Sequence, residues 1–289
     1  MIALQILSAV LLAPLVQGAM KLLRARLQGR PGPSPLQPYR DLAKLWAKEA
    51  LLPEGASPIA VAAPGIALGV ALTFVAALPF ARRDGGLAIV DVVALAFLLA
   101  LGRFFLTLAA LDSRSAFAGM AASREVTFGA LVEPTLLVAL LGAAALGKGT
   151  GLPALFSIHF GPESIMAFAA FFLVSLAETA RVPIDNQETH YELTMIHEGL
   201  LLEYAGWQLA VLQLAAYVKQ FGFLLLAAML LPGDSWWADA GWLVALACAI
   251  TLVENALGKL RLFEVPQVLA TAFILAATSI ALHLFGRLV

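Results

Sequence analysis

Apolar runs long enough to cross a bilayer alternate with short polar stretches along almost the whole chain. A spanning helix takes about 20 mostly apolar residues. Eight such runs can be drawn, over 2–22, 59–80, 87–111, 126–147, 162–180, 207–231, 241–257 and 265–286. Runs such as "GIALGVALTFVAALPF" show no alternation of period two, which a transmembrane barrel would require. The expectation is an all-α integral membrane protein, one polytopic domain over 1–289 with about eight transmembrane helices. The first run ends in "VQGA", small residues that resemble a signal cleavage site. Its basic cluster follows the apolar core instead of preceding it, so it reads as a span.

Composition agrees: 61% of the residues are hydrophobic and 13% charged, where soluble domains carry about 25% charged residues. The 18 lysines and arginines orient the chain, because cytoplasmic loops collect them. With the N-terminus outside, the inner face receives Lys21, Arg24, Arg26, Arg30, Arg40, Lys44, Lys48, Arg103, Arg114, Arg124, Arg181, Lys259 and Arg261. The outer face receives Arg82, Arg83, Lys148 and Arg287. Both termini are then expected outside, with the loops 23–58 and 181–206 in the cytoplasm.

Chemistry within the chain is restricted. The one cysteine, Cys248, lies in an apolar run, so neither an internal disulfide nor a four-ligand iron–sulfur cluster can form. His159, His190, His197 and His283 fall on both predicted faces, which disfavours a metal site built from this chain alone. Neither a Walker loop nor a dinucleotide fingerprint occurs, and no nucleic-acid partner is expected. Redox chemistry would have to come from a partner.

The ionisable residues inside the spans need a reason, since a charge at the bilayer centre costs about 2.5–3.5 kcal/mol on insertion scales. Lys219 lies in the middle of the sixth run, Glu133 in the fourth, Glu178 at the end of the fifth and Glu254 near the end of the seventh. Two readings stay open for Lys219: static pairing with a carboxylate, or a part in ion transfer. Pro134 denies the carbonyl of Ala130 its helical donor, which leaves room for water beside Glu133. Asp91 reads as an interfacial residue, and Arg103 and Arg114 as orientation anchors at the inner end of the third run.

The stretch "AETARVPIDNQETHYELTMIHEGLLLEY", 177–204, concentrates six carboxylates, two histidines and one arginine between two apolar runs. Asp185 and Glu188 have capping-box spacing, and with Glu192 they fall on one helical face, where like charges raise one another's pKa. Leu193, Met195, Ile196, Leu200, Leu201 and Leu202 make the segment apolar enough to pack. In the first loop five prolines (Pro31, Pro33, Pro35, Pro38 and Pro53) forbid a long helix at its start. "YRDLAKLWAKEALL" then predicts an amphipathic helix at the interface, resting on headgroups or carrying a docked partner.

These loops carry a resemblance. "LQGRPGPSPLQPYRDLAKLWAKE" and "AETARVPIDNQETHYEL" followed by "EYAG" resemble the first and the fifth-to-sixth-span loops of complex I membrane subunit 1. "ELTMIHEGLLLEY", "GMAASREVTFGALVEP" and "VENALGKLRLFEVPQ" are more similar to the sister branch, the membrane subunit of membrane-bound nickel–iron hydrogenases and formate hydrogenlyases. An Arg-rich, Trp-containing segment of complex I near the last two spans is missing.

The resemblance implies a non-catalytic membrane subunit joining a peripheral redox arm to ion-pumping, antiporter-like subunits in the cytoplasmic membrane. Nickel–iron and iron–sulfur centres would lie in hydrogenase-like large and small subunits and iron–sulfur subunits, with no cofactor in this chain. Glu125, Glu178, Asp185, Glu188, Glu192 and Glu203 match acidic positions of the family, and Arg181 its basic one. Glu133, Lys219 and Glu254 match the hydrogenase-like pattern and complete a candidate proton path. The partner interface would comprise Arg30, Pro33, Gln37, Arg40, Asp41 and Lys44 in the first loop, and Arg181, His190, His197 and Glu198 in the acidic one. Two alternatives remain: the quinone-site subunit of a complex I type NADH:quinone oxidoreductase, or a passive anchor.

Overall fold

The computed structural model describes residues 2–51, 55–78, 91–147, 149–156, 161–186, 195–233 and 235–286. Among them the regular structure is helical: α1 (Ile2–Leu27), α2 (Gln37–Trp46), α3 (Pro58–Ala77), α4 (Val92–Asp112), α5 (Ala116–Leu146), α6 (Pro162–Glu178), α7 (Gly206–Met229), α8 (Trp236–Ala256) and α9 (Val265–Gly286). Seven of these, all but α2 and α6, are long and apolar enough to cross a membrane. α6, the predicted fifth span, has 17 residues, about 26 Å at ~1.5 Å per residue.

α7 is the hub, lined on one side by α3 and on the other by α1 and α8, while α5, α6 and α9 pack together beside α4. Its interior face carries Phe223, which stacks on Phe171 of α6 and tilts against Phe74 of α3, and all three rings are buried. Leu95, Leu136, Leu140 and Leu226 are also buried, whereas Leu4, Phe97, Phe104, Ile274 and Phe285 point outward from their helices. An apolar exterior of this kind is solvated by acyl chains or neighbouring subunits.

Helix ends follow local chemistry. Asp91 accepts from the backbone N–H of Val93 at 2.9 Å and so caps α4. The structure assigns it this role, and α4 begins five residues later than the run predicted. α5 begins at Ala116, ten residues before the predicted 126, because "AFAGMAASRE" contains no proline and its four alanines favour helix despite Gly119. Pro134 is accommodated inside α5. α2 forms on the first half of the amphipathic stretch, with Pro38 in its first turn, and ends at Trp46, short of the predicted "AKEALL"; it lies against α1 and α7.

One end of the bundle gathers the ends of most helices. The N–H of Ser57, before α3, donates to Asp112 of α4 at 2.6 Å. Tyr204, before α7, donates to the carbonyl of Ala60 at 2.8 Å, and Leu260, after α8, donates to the carbonyl of Pro183 at 2.8 Å. This loop end holds the described parts of the acidic segment. Met195, Ile196, Leu200 and Leu201 are buried there, and Leu202 is exposed. Glu188, His190, Glu192 and Leu193 lie outside the described residues, as do Arg82, Arg83, Lys148, His159 and Arg287.

Candidate functional site

The site grows from the way α6 ends. Ala180 adopts φ 51°, the N–H of Arg181 donates to the carbonyl of Leu176 at 2.8 Å, and that of Ala180 to Ala177 at 3.2 Å. This pair of bonds is a Schellman cap, formed here with alanine at the left-handed position. The chain after it is not helical, yet Ala180, Arg181, Val182, Ile184 and Asp185 are all buried. Irregular backbone at membrane depth is tolerated only inside protein or beside a wet cavity, and this segment has both.

Glu178, the last residue of α6, is the centre of the first ionic cluster. One carboxylate oxygen accepts from Arg103 Nη2 and the other from Lys219 Nζ at 2.6 Å. Arg103 also pairs through Nε with Glu125 at 3.1 Å and through Nη1 with Glu133 at 3.0 Å. Side-chain exposure is 2% for Glu178 and 10% for Arg103, against 43% for Glu133. Arg103 is therefore no orientation anchor: it lies near the middle of α4 and holds three carboxylates. Its guanidinium has room because Gly129 of α5 faces it, where a Cβ would lie 3.1 Å from both Cδ and Nη1.

A second cluster lies three residues along the chain. Arg181 pairs with Glu254 of α8 at 3.0 Å and donates also to Gln17 of α1 and Gln220 of α7. Gln220 in turn donates to Met20 Sδ at 3.3 Å. The structure thus places Arg181, expected on the docking surface, inside the bundle, where its charge ties α1, α7 and α8 to the segment after α6. Asp185 pairs with Lys259 at 2.7 Å and accepts from the N–H of His197 at 3.0 Å.

Three cavities adjoin these clusters. The largest, about 440 Å³, lies among α1, α7, α8 and the acidic segment and is lined by Lys21, Arg24, Arg181, Asp185, Glu198 and Tyr217, among others. A second of about 60 Å³ is bordered by Arg103, Glu125 and Lys219, and a third of about 20 Å³ by Arg103, Glu125, Glu178 and Asp185. A water needs about 10–15 Å³ of such space and polar partners, so each can be wet. Burial, reinforced by the charge of Asp185 and opposed by Lys21, pushes the carboxyl of Glu198 up to about 7.

Of the residues predicted for an ion path, Glu125, Glu133, Glu178 and Lys219 share the first cluster, Glu254 joins the second, and Asp185 lies between them. Glu203 is half-buried at the loop end. Of those predicted for docking, Arg30, Pro33, Arg40 and Lys44 are exposed, while Gln37 donates to Asp41 at 2.8 Å. The pattern missed Arg103, Gln17 and Gln220. The available signal was a polar side chain inside an apolar run, the same one that singled out Lys219.

A helical membrane protein whose core holds two linked ionic clusters, opening toward one end of the bundle, is the class that this fold and site define. The chain belongs to the NADH dehydrogenase family, whose description matches residues 1–284. It is 32% identical over 281 residues to formate hydrogenlyase subunit 4 of Escherichia coli, covering 90% of this chain and 91% of that protein. Hydrogenase-4 component C of the same organism is 34% identical over 272 residues, covering 89% and 82%. The matching subunit of the NADH-quinone oxidoreductase of Geobacillus thermodenitrificans is 30% identical over 251 residues, covering 78% and 74%. The fold matches a chain of the membrane-bound sulfane sulfur reductase, an archaeal respiratory membrane complex, with TM-score 0.84 over 98% of each chain at 19% identity. The resemblance read from the loops is borne out on both branches.

Proposed function

We propose that the chain couples a docked redox arm of hydrogenase type to proton movement across the cytoplasmic membrane, with the loop end facing the cytoplasm. The observation that carries this reading is Glu178, which holds two cations inside the bundle and lies at the head of a buried, non-helical segment leading to the loop end. The first cluster contains three carboxylates and two cations. A proton on Glu125 or Glu133 therefore leaves both cations paired. A proton on Glu178 would weaken its bonds to Arg103 and Lys219 together, and a weakened pair is free to re-form elsewhere.

On this reading protons enter through Asp185, Glu188, Glu192 and Glu203, cross Glu125, Glu178, Glu133 and Lys219, and are balanced by Arg181 and Glu254. Exposed Arg30, Pro33, Arg40 and Lys44 form part of the surface that meets hydrogenase-like large and small subunits and iron–sulfur subunits, which hold the nickel–iron and iron–sulfur centres. Antiporter-like membrane subunits would cover part of the apolar exterior. The similarity to a formate hydrogenlyase subunit and a hydrogenase-4 component supports the type of arm.

A passive anchor is favoured by one observation, the complete pairing of Glu178. One experiment separates the two readings. The complex purified through this chain is assayed for nickel and for hydrogen evolution with a reduced dye. It is then placed in vesicles with native chain, Glu178→Gln or Lys219→Met. The expected result is nickel, hydrogen evolution, and loss of translocation per turnover in both variants. Normal translocation in both would leave the passive anchor; a nickel-free arm that reduces quinone would overturn the hydrogenase assignment.

A further inference from the structure

The titratable side chain shared by all three cavities is His197, and neither ionic cluster uses it. On one side lies the 440 Å³ cavity with Glu198, Lys21 and Arg24. Lys21 and Arg24 also line an adjoining groove of about 510 Å³ that runs to the exposed Arg30 and Pro33. On the other side lie the two small cavities against Glu125, Arg103, Glu178 and Lys219. Leu201 and Ala216 also border the first two cavities, but they carry no proton.

The backbone that carries the imidazole is held in place from both directions along the chain. Its own backbone N–H donates to Asp185 at 3.0 Å. Two residues before it, the carbonyl of Met195 accepts from Arg124 Nη1 at 2.8 Å. Two residues after it, Gly199 packs so closely on Ala121 of α5 that a Cβ would lie 2.4 Å from the alanine methyl.

We propose that His197 is the proton relay between the polar cavity and the buried cluster, taking a proton on the Glu198 side and passing one on toward Glu125 and Glu178. The proposal rests on the ion path described above. The relay needs no other reactant: a neutral imidazole accepts at one ring nitrogen and releases from the other, ending in the neutral form after the ring or its tautomer resets. The charges that face it come from α5 (Glu125), α4 (Arg103), α7 (Lys219) and the acidic segment (Asp185). Burial holds the imidazole below its ordinary range, with Lys219 and Arg103 acting in the same direction and Glu125 and Asp185 against it. The neutral, two-sided form is thus the resting one at neutral pH.

The test uses the whole complex in vesicles, with charge movement read by a membrane-potential dye, per redox turnover, in His197→Ala, His197→Gln and Glu178→Gln. Loss of about a hundredfold is expected in both His197 variants, the low end for a positioned proton-transfer group. Added imidazole should restore the alanine variant but not Glu178→Gln. Full charge movement in either His197 variant, with loss in Glu178→Gln, would overturn the relay and leave the ion path standing. Full movement in all three would overturn both. Loss without imidazole rescue, or failure of both His197 variants to assemble, would mark a structural role and overturn the relay.

Discussion

The ammonium of Lys219 lies 2.6 Å from Glu178 Oε2, and the other oxygen of the same carboxylate accepts from Arg103. One buried acid thus holds cations from α4 and α7 against the end of α6. Removing one member of such a group leaves charges without partners, which costs about 3–5 kcal/mol, more than the pair itself contributes over an apolar replacement. Glu178→Ala should therefore lower the melting temperature of the detergent-purified protein far more than the double replacement Glu178→Leu with Lys219→Met. A single variant as stable as the double would show that Lys219 finds another partner once Glu178 is gone.

Gly199 and Ala121 make a second quantitative case. A methyl group at 199 would lie 2.4 Å from the Ala121 Cβ, and overpacking of this kind costs about 1–3 kcal/mol. Gly199→Ala should destabilise by that amount, and Ala121→Gly added to it should recover most of the loss. A double-mutant cycle measured by thermal unfolding gives the coupling; additive effects would mean that the loop yields instead of clashing.

The cap of α6 predicts a gain. Ala180 is held at φ 51°, and an L-residue in the left-handed region costs about 1–2 kcal/mol. Ala180→Gly should raise stability by about 0.5–1 kcal/mol after the entropy of the freer unfolded chain is subtracted. A drop in melting temperature would show that the methyl group, buried between two cavities, contributes more than the strain removes.

Glu198 sets a pH signature. Its carboxyl is raised from 4.5 to about 7 in the fold, so the fold favours the protonated form. The cost of keeping Glu198 folded is absent below pH 4.5, grows through the interval and is complete above 7. Glu198→Gln should leave stability unchanged near pH 4 and raise it above pH 7, by at most about 3 kcal/mol and less to the extent that solvent reaches the group. Melting curves of both forms at the two pH values decide it; a gain equal at both would point to packing and not to charge.

Much of this was legible in the sequence and some was not, for definite reasons. Helix positions follow from apolar runs, and α2 from its amphipathic spacing, because both are periodic and local. Lys219 stood out because it interrupts a run. Arg103 did not, because its depth depends on where α4 begins, and that is fixed by the Asp91 cap, a single hydrogen bond within a polar stretch. Arg181 reads as a docking residue because an apolar run that stops at 180 suggests a span ending at the membrane face. The Schellman cap instead turns the chain inside the bundle, where Gln17, Gln220 and Glu254, distant in sequence, surround the guanidinium.

That cap has a mechanical consequence. Glu178 and Arg181 stand on opposite sides of a single tight turn, one gripping α4 and α7, the other α1, α7 and α8. The turn is thereby anchored to α1, α4, α7 and α8 at once. Asp185, paired with Lys259 at the loop end, is thus joined to the carboxylate at the centre of the bundle by a few residues of backbone, with no long helix between them.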